Sequence, residues 1–149
     1  MCSCSEDKTW SIWRIDIKGE AFKNLGIIPG SHMRSVYSIN WSNNFTNISE
    51  PTSEMQDANL SAKSCADLIA TAGADNRLNV FEINRASLHP DHQGQFEYNI
   101  VGEENMAHMS DINCVAFGPS IRLEKEAKTV LATCGDDGAI KVWTVTIAN

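Results

Sequence analysis

The sequence of 149 residues predicts an all-β fold made from one repeated hairpin, and two patterns carry that prediction. The first is a short segment written three times, at 3–13, 71–81 and 133–143. In each copy a small hydroxyl residue (Ser3, Thr71, Thr133) stands four positions before an aspartate (Asp7, Asp75, Asp137). An aromatic residue (Trp13, Phe81, Trp143) stands six positions after the aspartate. Between them apolar residues alternate, as Trp10 and Ile12, Leu78 and Val80, Ile140 and Val142. That is strand, tight turn, strand, with a period of two on the second strand. The second pattern lies upstream. His32 precedes Val36, Ile39 and Trp41 at the offsets by which His108 precedes Ile112, Val115 and Phe117, which adds one more strand to the unit. Self-similarity at long period makes the chain a piece of a repeat protein.

This set of His, Ser/Thr, Asp and Trp at fixed offsets resembles the WD-repeat β-propeller. The resemblance implies a four-stranded blade, with strands a to d running outward from the propeller axis. In chain order, strands b and c are expected over 2–16 and d over 22–28. A full blade a-b-c-d follows over 36–101, and a final a-b-c over 112–145. The chain then divides into a partial blade at 1–28, a full blade at 29–101 with an a–b insertion at 42–64, and a last blade at 102–149. This is a β-propeller fragment of about two and a half four-stranded blades, where closed propellers have about four to eight. An open stack leaves uncovered sheet faces on its first and last blades and unpaired edges. The expected origin is therefore the C-terminal part of a longer protein, truncated or split, with Met1 falling inside a strand.

The chemistry of the quartet reads as structural. His108 can bridge Asp137 and Thr133, and Thr133 can accept from the indole N–H of Trp143. His32, Thr71 and Asp75 repeat the set with Phe81 in place of the tryptophan, so the indole bond is lost there. Ser3, Asp7 and Trp13 form a copy without its histidine. Histidine, carboxylate and hydroxyl together also suggest a hydrolase triad. Here the hydroxyl is expected to be locked into a strand brace instead of facing a cleft, so no catalytic residue is assigned and the chain is not read as an enzyme.

Insertions are uneven. The a–b run at 42–64, rich in Ser, Asn and Thr, the c–d run at 84–94 and the charged a–b run at 118–128 all emerge on one face. The last of these carries a possible turn of helix at Leu123, Glu124, Lys125 and Glu126. The opposite face holds short turns around Asp7, Asp75 and Asp137 and the loops through His32 and His108. A rigid platform loses less entropy on association than a mobile loop, and Met and Arg are enriched at contact patches. Partner contact is therefore expected on the short-loop face, around Met33, Arg34 and Met109.

Charge and cysteine content narrow the setting. A net charge of −7 with no basic cluster disfavours nucleic acid, since phosphate contacts need Lys and Arg. No apolar run is long enough for a membrane span and no leader-like segment is present. Five cysteines cannot all pair internally, and Cys2, Cys4, Cys114 and Cys134 fall in or beside expected strands, as reduced residues of an intracellular protein do. Cys2 and Cys4 with His32, or His89 and His92 with Asp91, are conceivable metal ligands, but neither has the paired spacing of structural zinc. No metal and no cofactor is expected. The glycosylation sequons at Asn44, Asn47 and Asn59 read as chance in an Asn/Ser-rich stretch. The Gly30-Ser31-His32-Met33 sequence, familiar from expression tags, supplies the histidine at its repeat position.

A narrower resemblance comes from residues around the repeats. The segments 31–41 and 68–75 are similar to the penultimate blade of the cytosolic iron–sulfur protein assembly WD-repeat adaptor family. The segments 111–117 and 131–138, with a short tail after Trp143, are similar to its last blade. This resemblance implies a seven-bladed propeller and a non-catalytic subunit of the complex that targets iron–sulfur clusters to cytosolic and nuclear apoproteins. Implied partners are the assembly and targeting components and client apoproteins, with a cytoplasmic and also nuclear location. The long insertion at 42–64 and Phe81 depart from the family pattern. An unrelated WD-repeat scaffold, such as a ubiquitin-ligase substrate receptor, and a protein that holds a metal or cluster directly are the alternatives.

Overall fold

The computed structural model describes residues 1–16, 21–42, 66–89, 95–122 and 126–148. Within them lie ten strands and one short 3-10 helix. The strands are β1 (Cys2–Cys4), β2 (Trp10–Asp16), β3 (Ala21–Ile28), β4 (Val36–Ser42), β5 (Ala66–Gly73) and β6 (Leu78–Asn84). They continue as β7 (Tyr98–Glu104), β8 (Ile112–Arg122), β9 (Glu126–Gly135) and β10 (Ile140–Ala148). They form three antiparallel sheets, ordered β1-β2-β3, β4-β5-β6-β7 and β8-β9-β10. The arrangement is all-β, with antiparallel sheets of three, four and three strands packed face to face as the blades of a β-propeller segment are.

Strands β5 and β6 of the middle sheet are covered on both faces, and each sends apolar side chains to both, as Leu68 with Ile69 and Val80 with Phe81. One face of it sends Ile69, Phe81 and Ile83 against Trp10, Ile12 and Ile28 of the first sheet, with Phe96 closing the cluster. Its other face sends Leu68, Ala70, Ala72, Leu78 and Val80 against Ile112, Val115 and Leu131 of the third sheet. Phe81 is fully buried and its ring centroid lies 4.7 Å from that of Trp10. Burying such a ring contributes about 1.5–3 kcal/mol.

Inner strands are stitched between sheets. An edge strand carries backbone N–H groups with no ladder partner, and these need acceptors when covered. The amides of Val115 and Phe117 in β8 donate to Ser38 Oγ at 3.1 Å and Asn40 Oδ1 at 3.0 Å, both on β4. The amide of Val36 donates to the Ser5 carbonyl at 3.1 Å, joining the middle sheet to the first.

Two connections differ from expectation. The charged run at 118–128 is largely strand, because β8 continues to Arg122 and β9 already begins at Glu126. Pairing resumes after an irregularity between Phe117 and Ser120, as Ser120↔Thr129, Ile121↔Lys128 and Arg122↔Ala127. Of the expected helical turn, Glu126 lies in β9, while 123–125 lie outside the described residues. In the run at 84–94, Arg85–Leu88 forms a 3-10 helix whose first turn is capped by Asn84, with Oδ1 accepting from the Ala86 amide at 3.1 Å. The strand after it continues past Val101 to Glu104, staying paired along β6 to Leu78. The insertion at 42–64 lies outside the described residues after Ser42, as do all three sequons.

Candidate functional site

Each histidine is held by a loop that returns the chain from an outer strand to the next inner strand. His32 precedes β4 and His108 precedes β8, and both are buried, at 4% and 0% exposure. In the third sheet the quartet closes completely. The Trp143 indole donates to Thr133 Oγ1 at 2.9 Å, and Thr133 Oγ1 lies 2.8 Å from His108 Nε2. His108 Nδ1 lies 2.9 Å from Asp137 Oδ1. With the ring proton on Nδ1, every donor has an acceptor: indole to hydroxyl, hydroxyl to Nε2, and Nδ1–H to carboxylate. Asp137 also accepts from the Met109 amide at 3.0 Å and the Ala139 amide at 3.0 Å. The His108 ring N–H first, and then these amides, hold its carboxyl far below the usual carboxylate range.

The middle sheet repeats the arrangement without the indole. His32 Nδ1 lies 2.9 Å from Asp75 Oδ1 and Nε2 lies 2.8 Å from Thr71 Oγ1. Asp75 accepts from the Met33 amide at 2.7 Å and the Arg77 amide at 3.3 Å. Burial opposes ionisation of Asp75, but the His32 bond and the two amides outweigh it and lower its pKa. Phe81 sits in the aromatic place, turned into the core against Trp10. In the first sheet the Trp13 indole donates to Ser3 Oγ at 2.7 Å, and Asp7 accepts from the Thr9 hydroxyl and amide at 2.7 and 3.0 Å. The hydroxyl of Thr9 is the chief reason the Asp7 carboxyl is held low.

Four residues that support the quartets escape a reading by offsets. Asn79 Nδ2 donates to the Ser31 carbonyl at 2.7 Å and lies 3.2 Å from His32 Nε2. Lys141, at the same place in the third sheet, donates to the Ala107 carbonyl at 2.6 Å. Each steadies the carbonyl just before the buried histidine, although the two residues share no chemistry visible to a motif. The other two are Gly73, where a Cβ would lie 2.1 Å from the Ser35 carbonyl oxygen, and Gly135, where it would lie 2.4 Å from that of Asp111. Only glycine lets these backbones meet.

Chemically, the quartets brace strands. Thr71 and Thr133 are 0% and 1% exposed and cannot meet a substrate. His32 spends both ring nitrogens on Asp75 and Thr71, and Cys2 and Cys4 pack toward the core between the first two sheets. Burial pushes both thiols up. Among the described residues no three His, Cys, Asp or Glu side chains converge on a metal-sized site. Asp91 and His92 lie outside the described residues.

Beside the quartets the short-loop face carries Met33, Met106 and Met109, exposed by 67%, 62% and 77%. Arg34 donates to the Ala74 carbonyl at 2.7 Å and lies 3.5 Å from Asp111, so it spans the middle sheet and the loop entering the third. The amides of Met33 and Met109 are tied to Asp75 and Asp137, which fixes both backbones. The quartets thus turn the loops beside them into a firm platform with mobile, polarisable side chains on top. Met106 joins this patch, and nothing in the repeat offsets pointed to it.

Comparison with known proteins agrees with this architecture. Residues 103–144 match the family described as WD domain, G-beta repeat. The chain is 27% identical over 132 residues to a probable cytosolic iron-sulfur protein assembly protein CIAO1 homolog of Nematostella vectensis, covering 89% of this chain and 31% of that protein. It is 30% identical over 128 residues to the homolog so named in Dictyostelium discoideum, covering 86% of this chain and 28% of that one. Protein CIA1 of Arabidopsis thaliana is 29% identical over 120 residues, covering 80% of this chain and 25% of its own length. The chain therefore spans between 25% and 31% of the length of these relatives.

Proposed function

We propose, from the premise that this chain is a WD-repeat β-propeller segment, that its work is to bind protein as a non-catalytic part of cytosolic iron–sulfur cluster assembly. Similarity to proteins named for that assembly, over 80–89% of the chain, carries the reading. The geometry supports its non-catalytic half, since the hydroxyl, imidazole and carboxylate that could form a hydrolytic triad are committed to bracing strands. The partners are the assembly and targeting components and the apoproteins they serve, met in the cytoplasm and also in the nucleus. Contact falls on the short-loop face, around Met33, Arg34 and Met109. There the loops are held by carboxylate–amide bonds, so less ordering entropy is lost on docking.

Affinity capture of the tagged protein from cytosol tests this reading. Iron–sulfur assembly components should be enriched in the eluate over a tag-only control. Enrichment of ubiquitin-ligase adaptors in their place, or of neither, overturns the assignment.

A further inference from the structure

We propose that strand β7, the outer edge of the middle sheet, is a second docking surface, which takes an extended basic segment of a partner protein as an added antiparallel strand. This surface is separate from the short-loop face. β7 ends the order β4-β5-β6-β7, so it has a ladder on one side only. The middle sheet packs between the other two, and its outer edge points away from the propeller axis. Further blades would join the ends of the stack and leave this edge open.

Hydrogen bonding decides which groups of β7 are free. The Asn84 amide donates to the Glu97 carbonyl at 3.0 Å, so the backbone groups of Glu97 face β6. Such groups alternate along a strand. Those of Asn99 therefore also face β6, while the N–H and C=O of Tyr98 and Ile100 face outward. Within the described residues no bond is made to these four groups. The register shifts between Val80 and Phe81, with Val101 as the extra residue on β7, so the regular stretch ends at Ile100. Exposed edges are ordinarily blunted by Lys or Pro. The first sheet's outer strand β3 carries Lys23, but β7 carries neither residue type. Instead it exposes Ile100 by 55% and Tyr98 by 38%.

Side chains select the occupant. Ile100 opposes Phe81 and Tyr98 opposes Ile83, so both stand on the side of the first sheet, whose outer strand β3 is in place. Tyr98 packs there against Phe96, with ring centroids 5.8 Å apart. Phe96 in turn is seated on β3 at Gly26, where a Cβ would lie 2.6 Å from its ring. An added strand meets a firmly held apolar row on this side. The other side is acidic, since Glu82 opposes Asn99 and Glu97 stands two residues before Asn99. Together β6 and β7 hold Glu82, Glu103 and Glu104 and no basic residue. The complementary segment alternates apolar residues, set against Tyr98 and Ile100, with Lys or Arg. A second copy of this chain would bring its own glutamates to the seam, and like charges opposed across strands are destabilising.

The test titrates a fluorescein-labelled peptide, Thr-Lys-Val-Lys-Val-Lys-Thr, with the full chain and follows fluorescence anisotropy. In the antiparallel register with both valines against Tyr98 and Ile100, the valine N–H groups face β7 and the lysine N–H groups face away. N-methylation of both valine nitrogens should raise Kd by at least about tenfold, because two backbone bonds are lost. N-methylation of the lysine nitrogens should leave Kd unchanged, and a peptide with Glu in place of Lys should not bind. Ile100→Lys, with a circular-dichroism spectrum matching wild type, should lose binding, since it blunts the edge and repels the peptide. Arg34→Glu should retain it, which separates this result from docking on the short-loop face. No saturable binding, any other response to the two methylation patterns, or unchanged binding in Ile100→Lys overturns the proposal. So does a dimer of the chain that Ile100→Lys abolishes and Val142→Lys does not, which would give the edge to a second copy.

Discussion

Removing the Asp75 carboxylate puts the quartet to its sharpest test. The group accepts from His32 Nδ1 at 2.9 Å and from the Met33 amide at 2.7 Å, and His32 is only 4% exposed. In Asp75→Ala the imidazole N–H faces a buried gap with no acceptor, which costs about 1–3 kcal/mol for the orphaned donor. Loss of the charge-assisted bond to the Met33 amide adds to this, though water can partly replace it at that exposed site. The expected total is about 2–4 kcal/mol, or about 5–15 °C in Tm for a chain of this size. Asp7 is the internal control, since its carboxylate accepts from the amide and hydroxyl of half-buried Thr9 and, among the described residues, from no histidine. Asp7→Ala should move Tm by much less. Thermal melts by circular dichroism on both variants decide the matter. Equal losses at the two aspartates, or no loss at Asp75, would refute the reasoning.

Three further outcomes follow from the same geometry. The residue after each aspartate is left-handed, at φ 74° for Lys8, 63° for Asn76 and 73° for Gly138, so Lys8→Gly should stabilise by about 0.5–1 kcal/mol and Gly138→Ala destabilise by about 1 kcal/mol in urea titrations. Because Asp75 and Asp137 titrate below their unfolded values, their stabilisation is fully present above the unfolded carboxylate pKa of about 3.9 and is lost as pH falls below it. Melts taken downward from pH 5 should steepen there, and more weakly in Asp75→Asn. Ile140 and Val142 are 79% and 68% exposed on the outer face of the third sheet, so the chain should self-associate by light scattering and Val142→Lys should shift it toward monomer; a monodisperse wild-type monomer would contradict this.

The fold was legible because the hairpin repeats. Alternation of Leu78 with Val80 and of Trp10 with Ile12 marks strands, and the Asp-centred turn between hydroxyl and aromatic fixes where each hairpin reverses. The quartets were legible for the same reason, as four chemically distinct residues recurring at constant offsets. What stayed hidden depends on contacts that no offset encodes. Asn79 and Lys141 do one task with different groups, each reaching the carbonyl before a histidine distant in sequence. The stretch at 118–128 looks like a charged loop, yet its described residues are strand because ladder pairing resumes beyond an irregularity. Phe96 follows a loop-like run and is nonetheless 5% exposed, because the 3-10 helix folds the chain back over Trp10.

The claim that matters most is that protein binding uses the short-loop face, and one capture experiment addresses it directly. Tagged wild-type protein, Arg34→Glu, Met109→Asp and a deletion of residues 44–61 are compared for enrichment of iron–sulfur assembly components, at matched folded fraction. Arg34 and Met109 are 63% and 77% exposed, so neither change disturbs the core. Capture should fall for both substitutions and persist in the deletion. Capture abolished by the deletion and unchanged by both substitutions would place the binding surface on the opposite face and contradict the account.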